Sequence, residues 1–505
     1  MIKKNILKFY RVGFAFILIN SIAMPVFGQV HANASKPIGA VIGTPPVILT
    51  LGSTTGAKPI SPLFSGISME TEAVLPHEDG SYFFSAKNEK LAALFRELGV
   101  KHLRLGGNTV DDMTKTPGLA DIDELFAFAK RAGVKVTYSV RLKNGNPKES
   151  AKIAKHIYDH YKDIITGITI GNEADQYYVD KLPEFLADVK AHIKAMHDAV
   201  PDVAINGPGV HLNAPWLLKY AETFKGMVKI DYFSNHAYFG GNAYGDAKPP
   251  VDRDPAPLWK EMLSPEWHKK YTELYSGFGS ELGKEGFSYR IDETNSYYMG
   301  GAPGASNSMA GAIWALDYLY WWAEHGAAGI NFHTGSTLPY KKGLIPNNAT
   351  RKPGFYAAFW NLPSGGYATQ AVGYGIKAFD LGCHGKLFKV EVSSEGMAQV
   401  SAHAVLADDG SIYLTILNKE IGTAPRVFIL KHSGKKVFSK VESISLGVKG
   451  NNAGAIEGFT LGGAAIDANG FWKGKWNEEL AKGDSISVSV APTSALILHL
   501  SNNGK

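Results

Sequence analysis

Eight apolar, strand-length runs recur between Ser61 and about Gly335, each followed by a connecting stretch with room for a helix or a long loop. They are Phe64–Glu70, Val100–Gly107, Val134–Leu142, Ile165–Glu173, Val203–Gly209, Ile230–Phe239, Phe287–Asn295 and Ala328–Gly335. Many are continuous apolar runs, the pattern of parallel strands covered on both faces. Between them, Ile122–Ala132, Pro147–Tyr161, Pro183–Ala199 and Met309–His325 repeat apolar positions at helical spacing. Eight β/α units in one block specify an α/β chain closed into a (β/α)8 TIM barrel over residues 61–350. An open doubly wound sheet is the alternative, but no Gly-rich phosphate loop opens the first helix.

Beyond about Arg351 the helical periodicity stops. Short β-rich runs follow: Lys389–Val392, Met397–Val405, Ile412–Asn418, Arg426–Lys431, Val437–Leu446, Ser485–Val490 and Ala495–Leu500. Gly, Asn and Asp separate them, which predicts an antiparallel β-sandwich domain over residues 351–505. Val47–Leu51, in the segment 35–60, is expected to cross over and add a strand to that sandwich. Cys383, the single cysteine, permits no intrachain disulfide and is expected as an inert buried thiol in a sandwich strand.

The first residues carry Lys3, Lys4, Lys8 and Arg11, then an uncharged apolar run from Val12 to Phe27, then Ala32-Asn33-Ala34. That order predicts a secretory signal peptide over residues 1–34. The apolar run is too short to span a bilayer, and Pro25 interrupts it. The expected location is therefore outside the cytoplasm, periplasmic or secreted, with no stable membrane insertion. The net charge of +5 is spread along the chain, and no Lys/Arg cluster marks a nucleic-acid surface. His-Glu-x-x-His, P-loop and dinucleotide fingerprints are absent, and His192 and His197 have the wrong spacing for a shared metal. Neither a metal nor a cofactor is called for.

Barrel active sites lie at the C-terminal ends of the strands. The fourth run, Ile165 to Gly171, leads directly into Asn172 and Glu173. The seventh leads into Asp292, Glu293, Thr294 and Asn295. A carboxylate at the end of an apolar strand is costly unless it is paired or used. A salt bridge to Arg or Lys would pair it. Two carboxylates facing each other across the barrel mouth are also what glycosidic-bond cleavage needs, one as acid and one as base or nucleophile. Asn172 is placed to donate to a sugar 2-hydroxyl, and Tyr298 to hydrogen-bond Glu293. His236 ends the sixth strand and could orient Glu293 or touch substrate, with His333 ending the eighth strand in a similar position. Tyr238 and Tyr244 would pave the pocket wall. Glu70 and Asp111 would accept from sugar hydroxyls.

An Asn-Glu pair ending the fourth strand, with a Glu ending the seventh, is the signature of the clan A glycoside hydrolases. The stretch Glu293-Thr-Asn-Ser-Tyr-Tyr-Met-Gly-Gly301 resembles the nucleophile segment of the heparanase-like family 79. Phe64-Ser-Gly-Ile-Ser-Met-Glu70 resembles that family's first strand, and Leu103-Arg-Leu-Gly-Gly-Asn108 its second. The resemblance implies a retaining β-glucuronidase with Glu173 as acid/base and Glu293 as nucleophile. It implies that Gly300 and Gly301 offer backbone amides to the glucuronate carboxylate, with Tyr340 adding a hydroxyl. The expected partner is a glucuronic-acid-containing oligosaccharide, glycosaminoglycan or glucuronide conjugate. Where human-type heparanases have small residues before the glycines, this chain has Tyr297, Tyr298 and Met299, closer to bacterial exo-acting enzymes. An endo-acting heparanase or another clan A specificity, such as a xylosidase or arabinofuranosidase, is the nearest rival. A non-catalytic carbohydrate-binding protein is the rival from another class.

Overall fold

The computed structural model describes residues 45–243, 254–335, 337, 354–393, 399–432, 438–479 and 485–502. The signal-peptide reading of residues 1–34, Tyr244 and Tyr340 all fall outside these residues. Eight strands, Ser65–Glu70, His102–Gly106, Lys135–Val140, Ile165–Ile170, Gly207–His211, Phe233–Tyr238, Tyr289–Asn295 and Ile330–His333, form one parallel sheet. The first pairs with the eighth, Ile67 opposite Phe332, so the sheet curls onto itself. Between the fourth and fifth strands the Ile168 amide donates to the Ala204 carbonyl at 2.9 Å, and the Asn206 amide to Ile168 at 2.9 Å. These bonds complete a barrel in which almost every strand residue is buried.

The fifth strand lies later than its apolar run suggests. Ala204 and Ile205 make only isolated bridges, and the strand proper is Gly207–His211. Two glycines and a proline give that segment little β propensity, so pairing with the sixth strand places it.

The helix Met309–Glu324 is buried all round rather than amphipathic, with Trp314, Tyr318, Tyr320 and Trp322 enclosed. A helix apolar on every face has to be covered on every face. Trp314 packs edge-on to barrel residue Phe332, while the Tyr320 hydroxyl lies 2.9 Å from Thr415 of the sandwich. Its buried acid, Asp317, is matched by Lys419 at 2.9 Å and His268 at 2.7 Å, with His403 at 3.4 Å. A buried carboxylate needs such partners.

A second such helix, Ala371–Gly382, sits where only strands are expected from sequence. Its sequence AVGYGIKAFDLG has only Lys377 and Asp380 as charged residues, too few for a helical stripe to show. Cys383 is its C-cap, buried, and not part of a sandwich strand. The sandwich has a sheet ordered Val390–Ser393, Val47–Leu51, Arg426–His432, Ser485–Val490, facing a larger sheet around Ile412–Asn418 and Ser494–Ser501. Val47–Leu51 runs parallel to Arg426–His432 and antiparallel to Val390–Ser393. Among the described residues the sandwich is antiparallel apart from that pair.

Candidate active site

After Ile170 the chain turns over the barrel rim through Gly171 and Asn172, and Glu173 stands in left-handed backbone (φ 45, ψ 47). For a residue with a Cβ that conformation costs on the order of 1–3 kcal/mol and is concentrated at functional sites. The Glu173 amide donates to Gly209 O at 2.9 Å, which ties the turn to the fifth strand. Across the mouth, the seventh strand carries buried Asp292 and Glu293. One oxygen of Glu173, one of Glu293 and a ring nitrogen of His236 all lie within 4.8 Å of one another.

The two glutamates have different surroundings. Glu293 Oε2 accepts from Arg104 Nη1 at 2.6 Å, and Oε1 accepts from the Tyr238 hydroxyl at 2.8 Å. His333 Nδ1 is 3.8 Å away and His236 Nδ1 4.0 Å. Burial pushes the Glu293 carboxyl up, but the charges of His333, His236 and Arg104 and the Tyr238 bond outweigh it and hold it far below the usual carboxylate range. Glu173 is more open, with its side chain 19% exposed, and Oε1 lies 2.9 Å from His236 Nδ1. Burial lowers the His236 imidazole, yet the charge of Glu293 and the bond to Glu173 leave it above the ordinary histidine range. The other nitrogen of His236 is 3.5 Å from Asp292 Oδ1.

The remaining residues singled out from sequence separate into two groups. Asn172, Glu70 and His333 are brought into the same polar cluster. Asn172 Oδ1 accepts from Arg104 Nη2 at 2.8 Å, and its amide nitrogen Nδ2 reaches Asn108 Oδ1 at 3.3 Å. Glu70 Oε2 accepts from the Thr109 amide and hydroxyl at 2.9 and 2.7 Å, while Oε1 lies 3.5 Å from His333 Nε2. Gly300 and Gly301 follow the seventh strand with φ of 88° and 91°.

Others play different parts from those expected. Asp111 is a scaffold group, because its oxygens accept from the amides of Leu142, Lys143 and Asn172 and from the Tyr177 hydroxyl. The phenol that donates to Glu293 is Tyr238, expected only as pocket wall. Tyr298 instead lies edge-on to His211 at 6.4 Å. His236 makes its short contact with Glu173 rather than Glu293.

Arg104 is the member of this cluster that the strand-end pattern does not single out. It is fully buried, and it links Glu293, Asn172 and, at 3.2 Å, Ser68. The signal is present in Leu103-Arg-Leu105, a charge in the middle of an apolar barrel strand. The following glycines make the space: a Cβ on Gly106 would lie 2.2 Å from the Arg104 guanidinium carbon, and one on Gly107 2.3 Å from a Glu70 oxygen. Glu173, His236 and Glu293 have ligand atoms close enough to hold a cation. A divalent ion there would face the Arg104 guanidinium, already 2.6 Å from Glu293 and 3.4 Å from His236 Nε2. The guanidinium thus already supplies positive charge beside Glu293.

No family model matches the chain. A segment of 55 residues, 11% of this chain, is 40% identical to a β-glucuronidase of Aspergillus niger, and it spans only 10% of that relative. Among solved structures, a 4-O-α-L-rhamnosyl-β-D-glucuronidase from Fusarium oxysporum 12S, solved with Rha-GlcA, is similar with a TM-score of 0.68 at 15% identity. The likeness covers 90% of this chain and 100% of that one. A family 51 arabinofuranosidase from Xanthomonas axonopodis pv. citri has a TM-score of 0.63 at 13% identity, over 90% and 99% of the two chains. The Clostridium thermocellum family 44 endoglucanase Cel44A has 0.57 at 14%, over the same shares. Barrel and sandwich together are thus an architecture that glycoside hydrolases use.

Proposed function

We propose that this chain is a retaining glycoside hydrolase that releases β-linked glucuronic acid. The observation that carries the proposal is the carboxylate pair: Glu173 and Glu293 present oxygens within 4.8 Å of each other, in unlike surroundings. Retaining enzymes hold their carboxyl groups about 5–5.5 Å apart and inverting ones about 6.5–9.5 Å. Glu293, kept ionised by Arg104 and Tyr238, attacks C1 as nucleophile. Glu173 gives its proton to the leaving oxygen, and the bond from C1 to that oxygen breaks. Water then attacks C1 of the glycosyl-enzyme, Glu173 takes the water's proton, and the Glu293 ester is cleaved to free glucuronate in the β configuration.

The glucuronate specificity is supported by the resemblance of the Glu293–Gly301 segment, by the short match to the Aspergillus niger β-glucuronidase, and by the name of the Fusarium neighbour. Gly300 would supply its amide to the substrate carboxylate, whereas the Gly301 amide donates to Tyr298 O at 3.4 Å. Export by the N-terminal segment belongs to the same proposal. Hydrolysis of p-nitrophenyl β-D-glucuronide beside the matched glucoside, xyloside and arabinofuranoside tests the proposal. Selective turnover of the glucuronide is expected. Turnover of a neutral glycoside alone would keep the two glutamates and discard the glucuronate specificity.

A further inference from the structure

The leaving group must lie beside the residue that protonates it, so whatever flanks Glu173 touches the aglycone. The fifth-strand end flanks it directly: the Glu173 amide is bonded to Gly209 O, and Asp175, two residues on, accepts from the His211 amide at 3.4 Å and from Asn213 Nδ2 at 3.1 Å. Between His211 and Asn213 stands Leu212, 41% exposed. From the opposite side comes the segment after Glu293. The rings of Tyr238, His211 and Tyr298 form a row leading outward from the nucleophile, with Tyr238 6.0 Å and Tyr298 6.4 Å from His211. Met299 follows Tyr298 and is 56% exposed.

Both exposed apolar residues are in left-handed backbone, Leu212 at φ 49 and Met299 at φ 59, which leucine and methionine rarely adopt. At Leu212 the conformation is held from below, because its amide donates to His236 O at 3.0 Å and Asn235 Oδ1 at 3.1 Å. Two strained loops thus each present an apolar side chain at the rim of one mouth. Residues 171–180, 211–213 and 296–308 contain no Lys or Arg. A sulfated or polyuronic aglycone would call for cations there, whereas an apolar ring face calls for what is present.

We infer that Leu212 and Met299 form an apolar aglycone rim that selects leaving groups with a hydrophobic or aromatic face, glucuronide conjugates rather than polyanionic glycans. This rests on Glu173 being the proton donor. The test compares kcat/KM for p-nitrophenyl and methyl β-D-glucuronide, and for a sulfated glucuronate-containing oligosaccharide, in wild type, Leu212→Asn and Met299→Asn. Asparagine adopts this backbone more readily than the residues it replaces, so folding is preserved. Phe471→Asn, on an exposed sandwich residue, is the control. The aryl-to-methyl ratio should fall about fivefold to tenfold in each rim variant, below the ~10–200-fold of an enclosed pocket, and stay constant in the control. An unchanged ratio in both rim variants, or a wild-type preference for the sulfated oligosaccharide, would overturn the inference while leaving the glucuronidase proposal standing. A wild type that cleaves no glucuronide fails that proposal first, and the aryl-to-methyl ratio is then read on whichever glycone is cleaved. A chain that cleaves none overturns both.

Discussion

Replacing Arg104 by methionine removes the cation that holds Glu293, the proposed nucleophile, and leaves a side chain of similar length. Arg104 makes a 2.6 Å charge-assisted bond to Glu293 and lies at 0% side-chain exposure. A hydrogen bond to a charged group contributes about 1.5–3 kcal/mol. Losing it should raise the Glu293 carboxyl by about 1–2 pH units and lower kcat/KM about 10- to 100-fold. The sign is fixed. Glu293 would act only when ionised, and its carboxyl is held low, so the acidic limb that it sets in wild type lies at that depressed value. Without Arg104 the acidic limb moves to higher pH. Breaking a buried ion pair costs about 3–5 kcal/mol of stability. Here His236 and His333 still face the carboxylate, so the lower end is expected. The assay is kcat/KM against pH, with thermal unfolding run beside it. A folded Arg104→Met protein whose acidic limb does not move, and whose kcat/KM stays within about twofold of wild type, would refute the reasoning.

Tyr238→Phe removes the bond to the other Glu293 oxygen and should lower kcat/KM about 10- to 100-fold with little change in Tm, measured by single-turnover kinetics and calorimetry. Gly106→Ala places a methyl 2.2 Å from the Arg104 guanidinium carbon and should reproduce much of the Arg104→Met phenotype, read from the same pH profile. His403 links the sandwich to Asp317 and Glu324, and although burial lowers it, the charge of Glu324 and the bonds to both carboxylates push it up to about 9 from 6.5. A raised histidine gives stability that is complete below about pH 6.5 and lost as pH rises through about 9, on the order of 3 kcal/mol here. Tm measured between pH 6.5 and 10 should fall more steeply in wild type than in His403→Gln.

The barrel is legible from sequence because parallel strands buried on both faces leave continuous apolar runs, and the eight runs keep their order in the structure. Strand five is displaced because Gly207-Pro208-Gly209 has no strand character of its own, and tertiary pairing decides it. Ala371–Gly382 escapes because helical periodicity needs a wet face, and this helix has almost none. The two carboxylates are visible because they directly follow or end apolar strands, where a charge needs a reason. What surrounds them is less visible, because partners come from distant strands. Arg104, 189 residues before Glu293, is readable only as an anomaly inside its own strand. Asp111 shows the converse: a carboxylate near the mouth whose oxygens are taken up by amides that no sequence pattern reveals.

The central claim is that Glu293 becomes covalently bound to the sugar while Glu173 moves the proton. Incubation with a 2-deoxy-2-fluoro-β-D-glucuronyl fluoride, followed by peptide mass spectrometry and by proton NMR of the first product from an ordinary glucuronide, tests it most directly. A fluoroglucuronyl adduct is expected on the peptide containing Glu293, absent in Glu293→Gln, with β-glucuronate as the first-formed product. An adduct elsewhere, or α-glucuronate released first, would contradict it.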